Sequence, residues 1–297
     1  MTEHPQILEV QNLVQHFRIS DTYTAYAVNE ISFSIFQNEV LGLVGESGCG
    51  KSTVARSISG IYTPTKGKIF YEGTLVSGKG SSKLQRNRMQ REVQMVFQDS
   101  AASLNPRMTV EKILLEPLKI QKQLKGPQSG KARVFDMLAR VGMPDSCLSK
   151  RPGELSGGQR QRIAIARSLM LYPKLLIADE PVASLDVSIQ AQIINLLIHC
   201  KEDHHFSMLF IAHDLSLVRF ISDRVAVMLK GRIVEIAPTE ELFTNPLHPY
   251  TQALLSAVHI PDPILERNRK RIDYDRTIPL GNTMREHSEG HFVLELV

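Results

Sequence analysis

The chain has 297 residues, 42% hydrophobic and 22% charged, with no tryptophan and a net charge of +4. This length and composition suit one large or two modest folded domains, and they exclude the disordered and fibrous classes. No apolar run approaches the roughly 18 residues of a membrane span, and the opening Met1 to Val10 lacks the basic-then-apolar pattern of a secretion signal, so a cytosolic chain is expected. Cys49, Cys147 and Cys200 lie far apart with no CxxC pair, so reduced thiols are expected rather than a disulfide framework or a zinc site. The basic residues Lys79, Lys83, Arg86, Arg88 and Arg91, and a second group at Arg267, Arg269, Lys270 and Arg271, read first as solvated faces. An anionic headgroup surface or nucleic acid is the other reading of such runs.

In chain order, apolar runs of strand length alternate with longer segments of helical period, the pattern of an α/β protein with a parallel sheet covered by helices. Val40 to Val44 predicts a strand, and a glycine-rich turn leads from it into a helix from Lys51 to about Ser59. Val93 to Phe97 is a further apolar run. Between about 101 and 170 the spacing becomes helical, at Ile113, Leu114 and Leu118 and again at Val134, Met137, Leu138 and Val141. That stretch reads as an inserted helical subdomain, with breaks at Gly126 to Gly130 and Gly142 to Asp145. Leu175 to Ala178 is a buried strand after Pro173, which cannot continue the helix before it. Met208 to Ala212 is another. Val225 to Leu229 and Arg232 to Ile236 flank Lys230-Gly231, a two-residue link of the kind that closes a hairpin. A short helix from near Thr239 and another ending about Val258 follow. From Pro261 polar residues dominate, so 1–260 is read as the folded domain and 261–297 as a loosely packed extension.

Three stretches carry chemistry. Gly45-Glu46-Ser47-Gly48-Cys49-Gly50-Lys51-Ser52 fits GxxxxGK[ST] between a strand and a helix, followed by Thr53. Its glycines let backbone N–H groups converge on phosphate oxygens at a helix N-terminus; Lys51 adds a positive charge and Ser52 a hydroxyl for magnesium. Cys49 fills a free position of the motif and is not a catalytic candidate. The strand Leu175 to Ala178 ends in Asp179 and Glu180. Asp179 reads as the magnesium carboxylate and Glu180 as the general base for water, since two acids rarely end an apolar strand for packing reasons. Third, Leu155-Ser156-Gly157-Gly158-Gln159 opens a helix. Ser156 suits the N-cap, and the glycines would let a phosphate approach the helix's positive end.

With that third stretch the chain resembles the ABC ATPase superfamily. The resemblance implies a P-loop NTPase core with a mostly parallel sheet, an antiparallel β subdomain and the helical insertion. ATP and Mg2+ would be held head-to-tail between two ATPase subunits, with Ser156, Gly157, Gly158 and Gln159 meeting the γ-phosphate held by the other subunit. Gln98 matches the glutamine that touches magnesium and the water. Asp186, in Ala183-Ser184-Leu185-Asp186, matches the residue that communicates across the dimer. His213, after Phe210-Ile211-Ala212, matches the switch histidine at the γ-phosphate. Phe17 matches the aromatic that stacks on adenine, with core packing as its rival reading and Tyr26 as a second candidate.

From Ile7 to Arg271 a finer resemblance holds, to the oligopeptide and dipeptide importer ATPases, with nickel importers sharing much of it. It rests on Gln98-Asp99, on Ser103-Leu104-Asn105-Pro106-Arg107-Met108, on Asp186 to Gln192 and on His248-Pro249-Tyr250-Thr251 with Leu254-Leu255. The Pro249-Tyr250 stretch also has a plain packing reading. The resemblance implies uptake of short peptides, a paralogous ATPase partner, transmembrane permease subunits, an extracellular solute-binding protein acting indirectly, and a peripheral place on the cytoplasmic face of the cell membrane. No nucleic-acid partner is expected. Departures are Asn38 in place of a usual glycine, Ser100 in place of a usual proline, and an inverted Ala183-Ser184 order. Nothing matches the cysteine-rich ending that binds an iron-sulfur cluster in many relatives, so none is expected. A non-transport ABC ATPase acting on DNA or ribosomes is the rival class. It is disfavoured by the single set of motifs and the lack of sustained heptads.

Overall fold

The structure is a computed structural model that describes residues 5–78, 80–124, 126, 129–257, 271–275 and 277–296. The expected helix end at Val258, the boundary at 260/261, Lys79, Pro127-Gln128 and the basic Arg267 to Lys270 lie outside the described residues. The chain forms two compact units, one of Met1–Ser81 with Leu209–Val297 and one of Ser82–Met208.

The first unit opens with β1 (Gln6–Arg18) and β2 (Thr24–Phe36), a long antiparallel pair. Next comes β3 (Val40–Val44), buried at every position as a strand covered on both faces must be. The turn into β3 uses Asn38 at φ 61°, the left-handed conformation that asparagine tolerates better than most residues. A glycine-rich loop joins β3 to α1 (Lys51–Ile58). Two further strands, β4 (Lys66–Tyr71) and β5 (Thr74–Ser77), complete an antiparallel sheet of order β2-β1-β4-β5.

The second unit begins with α2 (Lys83–Glu92), opened by a reciprocal capping box between Ser82 and Gln85. It continues through β6 (Val93–Val96), α3 (Ser100–Ser103), α4 (Val110–Ile120), α5 (Ser129–Arg140) and α6 (Gly157–Leu169). The apolar stripe read in the sequence is the buried one: Ile113, Leu114 and Leu118 on α4, Val134, Met137 and Leu138 on α5. A strand, β7 (Leu175–Asp179), lies parallel to β6, with Val93 opposite Leu175 and Val96 opposite Ala178. The unit closes on α7 (Val187–His204). The helices expected between about 101 and 170 are therefore α3 to α6, within a unit that also holds two strands and two flanking helices.

Within β8 (Ser207–Ile211), at Leu209, the chain returns to the first unit, which adds α8 (Leu215–Ile221), β9 (Arg224–Leu229), β10 (Arg232–Pro238), α9 (Thr239–Thr244) and α10 (Pro249–Ser256). Next to β3 lies β9, in parallel, while β10 returns antiparallel beside β9. The link Lys230-Gly231 has φ 47° and 80°, both positive, as a two-residue hairpin turn of the primed type requires.

The expectation of a loosely packed 261–297 is corrected over its last part. Two strands, β11 (Leu280–Ser288) and β12 (His291–Leu296), form an antiparallel hairpin, and β12 pairs with β10 through Glu235 opposite Val293 and Ile236 opposite Phe292. The anchor is polar, which is why hydrophobic patterning does not announce it. Glu235 and His291 are both fully buried, with His291 Nε2 2.7 Å from Glu235 Oε1. The carboxylate also accepts the backbone N–H groups of Leu247 at 2.8 Å and His248 at 3.1 Å. Removing one partner of a buried, hydrogen-bonded pair costs more than the pair contributes, because the other is left desolvated. The substitution His291→Leu should therefore lower unfolding stability by about 2–4 kcal/mol, read as a lower urea midpoint at unchanged slope. A midpoint equal to that of the wild type would show that the hairpin is not anchored through this pair.

Candidate functional site

The loop between β3 and α1 is built by steric exclusion. Gly45 has φ 150°, and a Cβ placed there would lie 2.2 Å from the Met228 carbonyl oxygen. Gly50 has φ 111°, and its Cβ would lie 2.2 Å from the Ala27 carbonyl oxygen. Neither contact can be relieved by a side-chain rotation, since both neighbours are backbone. The loop is also pinned by hydrogen bonds. Gly231 N–H donates to Cys49 O at 2.9 Å, and Glu46 N–H donates to the Tyr250 hydroxyl at 3.2 Å.

Lys51 is 4% exposed and folds back over the loop, where Nζ donates to Gly45 O at 2.8 Å and Glu46 O at 3.0 Å. Ser52 and Thr53 follow in the first turn of α1, both half-buried, and Ser57 donates its hydroxyl proton to Thr53 O at 2.8 Å. Cys49 is buried beside Lys51; burial pushes its thiol above the ordinary range, with the nearby ammonium acting the other way. Elsewhere in this unit, Phe17 is half-buried and packs edge-on against Tyr62, with ring centroids 5.1 Å apart, whereas Tyr26 is 64% exposed. His213 is exposed just after β8, and Asp214 beside it caps α8 by accepting from Ser216 N–H at 2.8 Å.

In the second unit β7 delivers Asp179, 1% exposed, and then Glu180, whose φ of 47° is left-handed. A glutamate in that conformation is strained by about 1 kcal/mol or more, a cost that clusters at functional sites. Gln98 Nε2 donates to Glu180 Oε2 at 2.9 Å. The sequence names both residues but not this contact, which joins the end of β6 to the end of β7. After Gln98, Asp99 caps α3 through Ala102 N–H at 2.9 Å, and Arg167 of α6 donates to Ser103 O at 2.6 Å, so the turn with Ser100 in place of proline is a tied helical turn.

Ser156 is the N-cap of α6, as its position in the sequence predicts. Gln159 N–H donates to Ser156 Oγ at 3.3 Å, and Ser156 N–H donates to Gln159 Oε1 at 3.0 Å, a full capping box. Gly157 and Gly158 fill the first turn, and a Cβ on Gly158 would lie 2.8 Å from a methyl of Ile189. Asp186 is exposed at the start of α7. The turn before it is held by Gln190, whose amide donates to Val182 O at 3.1 Å and Leu185 O at 3.0 Å. The inverted Ala183-Ser184 pair lies on the exposed side of that turn.

The structure thus places Gly45 to Thr53, Phe17 and His213 in the first unit, and Gln98, Asp179, Glu180, Ser156 to Gln159 and Asp186 in the second. Sequence reasoning does not assign Tyr250 to the loop, although it singles out the His248 to Thr251 stretch that carries it.

This chemistry accords with the comparisons to known proteins. The ABC transporter family matches residues 28–183, and the oligopeptide/dipeptide transporter C-terminal region matches residues 234–279. The chain belongs to the ABC transporter ATP-binding proteins, within their oligopeptide/dipeptide transport family. It is 50% identical over 301 residues to the oligopeptide transport ATP-binding protein OppF of Bacillus subtilis, covering 99% of this chain and 97% of that one. It is 45% identical over 298 residues to the dipeptide transport ATP-binding protein DppF of Lactococcus lactis subsp. cremoris, covering 99% and 95%. Among solved structures, cbiO1 of Clostridium perfringens, part of the cbiONQ ABC transporter complex, has TM-score 0.69 and 29% identity over 81% of this chain and 92% of that one. The dimeric ATP-binding cassette MJ0796 bound to ADP and Pi has TM-score 0.70 over 78% of this chain and 98% of that one, and at 24% identity it supports the fold. No helix of the described residues is long and apolar enough to cross a membrane.

Burial raises the thiols of all three cysteines, Cys200 to about 11. Only the thiolate attacks disulfide reagents, so raised and buried thiols are slow. Near neutral pH the native chain should react with Ellman's reagent at none of Cys49, Cys147 and Cys200 within minutes, and at all of them in guanidinium. Fast modification of Cys49 in the native chain would show that the loop is open.

Proposed function

We propose that this chain is the ATP-hydrolysing subunit of an ABC importer that takes up short peptides, working with a second, paralogous ATPase and transmembrane permease subunits at the cytoplasmic face of the cell membrane. The observation that carries the hydrolytic part is the hydrogen bond from Gln98 to Glu180, which orients a strained carboxylate directly after a buried aspartate.

Each group has a distinct task in this reading. The loop Gly45 to Ser52 surrounds the phosphates with backbone N–H groups other than that of Glu46, which stays on Tyr250, and Lys51 exchanges a loop carbonyl for a phosphate oxygen. Phe17 stacks on the adenine. Glu180 accepts the proton of the attacking water. His213 senses the γ-phosphate. Ser156 to Gln159 present the N-terminal end of α6 to the nucleotide of the partner ATPase, and Asp186 relays its state across that interface.

The donor set fits magnesium, which prefers hard oxygen ligands: the Ser52 hydroxyl, the Asp179 carboxylate and the Gln98 amide oxygen. The Gln98 amide can serve twice, since Nε2 is the donor to Glu180 while Oε1 is the atom a metal takes. A magnesium ion held by these groups would supply positive charge to offset the negative charge that develops on the phosphates.

Peptide as the solute is supported by the relatives' shared transport of peptides and by the His248 to Thr251 stretch. The permease and the solute-binding protein carry the choice of solute, so the test belongs in the cell. A strain whose other peptide importers are absent should become resistant to a toxic tripeptide when this gene is deleted, with rescue by the wild type but not by Lys51→Ala. Unchanged peptide uptake would overturn the assignment, and loss of nickel-dependent enzyme activity would point to the metal as substrate instead.

The chemistry has its own test in the assembled transporter. Glu180→Gln should bind MgATP with near wild-type affinity, hydrolyse it at least about 100-fold more slowly and accumulate as an ATP-held dimer, because an amide cannot take the proton. Lys51→Ala should instead lose nucleotide affinity. Wild-type turnover by Glu180→Gln would remove Glu180 from the role of base.

A further inference from the structure

The peptide unit between Gly45 and Glu46 is held at both ends. Its carbonyl, Gly45 O, accepts from Lys51 Nζ at 2.8 Å, and its N–H, on Glu46, donates to the Tyr250 hydroxyl at 3.2 Å. In a trans peptide these two groups point in opposite directions, so the two contacts together fix the rotation of that plane. Lys51 is half of this clamp only until it turns to a phosphate. From then on Tyr250 still holds the plane.

Tyr250 is itself braced from beneath. It is 2% exposed, with its ring edge-on to Tyr274 at 5.4 Å between centroids. Its own backbone N–H donates to His248 Nδ1 at 3.1 Å, which places the imidazole proton on Nε2, and burial lowers the affinity of that ring for a second proton. The backbone N–H of His248 is held by Glu235 at 3.1 Å, and Glu235 is held by His291 at 2.7 Å. The chain of contacts thus runs from the C-terminal hairpin through β10 and the first turn of α10 to the phosphate loop, all within one compact unit.

We infer that Tyr250 is a positioning residue for ATP binding: its hydroxyl holds the Gly45–Glu46 peptide in the nucleotide-receiving orientation while Lys51 transfers from the loop carbonyls to the phosphates. The role concerns binding rather than the chemical step, because Tyr250 contacts the loop and no reacting group. It rests on the nucleotide reading given above.

The test is Tyr250→Phe, which removes one oxygen and keeps the packed ring. Titrated with a fluorescent ATP analogue, the purified full chain should bind about 3- to 10-fold more weakly than the wild type, the range expected for one lost hydrogen bond. In the assembled transporter KM for ATP should rise by a similar factor while kcat changes less than about twofold. Amide hydrogen exchange supplies an independent measurement: the Glu46 N–H should remain protected in the ATP-bound wild type and lose protection in Tyr250→Phe. Equal affinities of the two proteins, or a Glu46 amide that becomes exposed in the wild type on ATP binding, would overturn the inference while leaving the nucleotide reading intact. A lower melting temperature with unchanged affinity would also overturn it, as the mark of a purely structural tyrosine. A wild type that binds no nucleotide would overturn both.

Discussion

The first unit is organised around the lack of space beside the phosphate loop. Backbone oxygens of Met228 on β9 and Ala27 on β2 stand where side chains at Gly45 and Gly50 would have to go. The loop can approach these strands only because it is glycine at both points, and the approach lets its remaining groups be fixed by hydrogen bonds. Cys49 O receives the Gly231 N–H, and Gly231 O in turn receives the Asn29 N–H at 2.8 Å. The hairpin turn at Lys230-Gly231 therefore ties the antiparallel sheet to the loop. A loop held in this way is fixed before any ligand arrives, so on the nucleotide reading proposed above less of the binding energy is lost to reorganisation.

The second unit obtains its geometry differently, from a strand that ends in strain. Throughout β7 the residues are buried, and Asp179 continues that burial. Left-handed backbone at Glu180 then breaks the alternation of a strand, so the second carboxylate leaves the path of the first. Gln98 meets it there. The unfavourable backbone is offset by the buried strand before it and by the turn after it, in which Ala183 N–H donates to Glu180 O at 3.3 Å and Gln190 holds Val182 and Leu185.

Much of this is legible in the sequence because it depends on local rules. Glycines at fixed spacing, a lysine and serine opening a helix, acids ending an apolar run, and a serine three residues before a glutamine each have a short-range physical meaning. Helix α1, strands β3, β7, β8, β9 and β10 and the cap of α6 follow from such rules. Other features rest on contacts distant in sequence between groups with no periodic signature. The C-terminal hairpin is the clearest case: Arg285, His287, Glu289 and Glu295 make it read as solvated chain, and its attachment combines the pairing of β12 with β10, hydrogen bonds from Arg232 to Gly281 O and Asn282 Oδ1, and one histidine meeting one glutamate 56 positions earlier. The Gln98–Glu180 contact, 82 positions apart, and the Glu46–Tyr250 contact, 204 apart, are of the same kind.

That last contact changes how the peptide-family motif should be understood. His248 to Thr251 lies in the stretch that matches the oligopeptide/dipeptide transporter C-terminal region, which invites the reading that it recognises the solute or the permease. Yet His248 and Thr251 are completely buried and Tyr250 nearly so, so none of the three offers a surface to a partner. Pro249 starts α10 at the position where its missing N–H costs nothing, His248 caps that helix, and the tyrosine hydroxyl that the helix carries meets the nucleotide loop. His248, Pro249 and Tyr250 are thus accounted for by local geometry within the first unit, and nothing in the structure explains the buried Thr251 hydroxyl. On the inference drawn above, this stretch therefore acts on nucleotide binding rather than by contact with the solute.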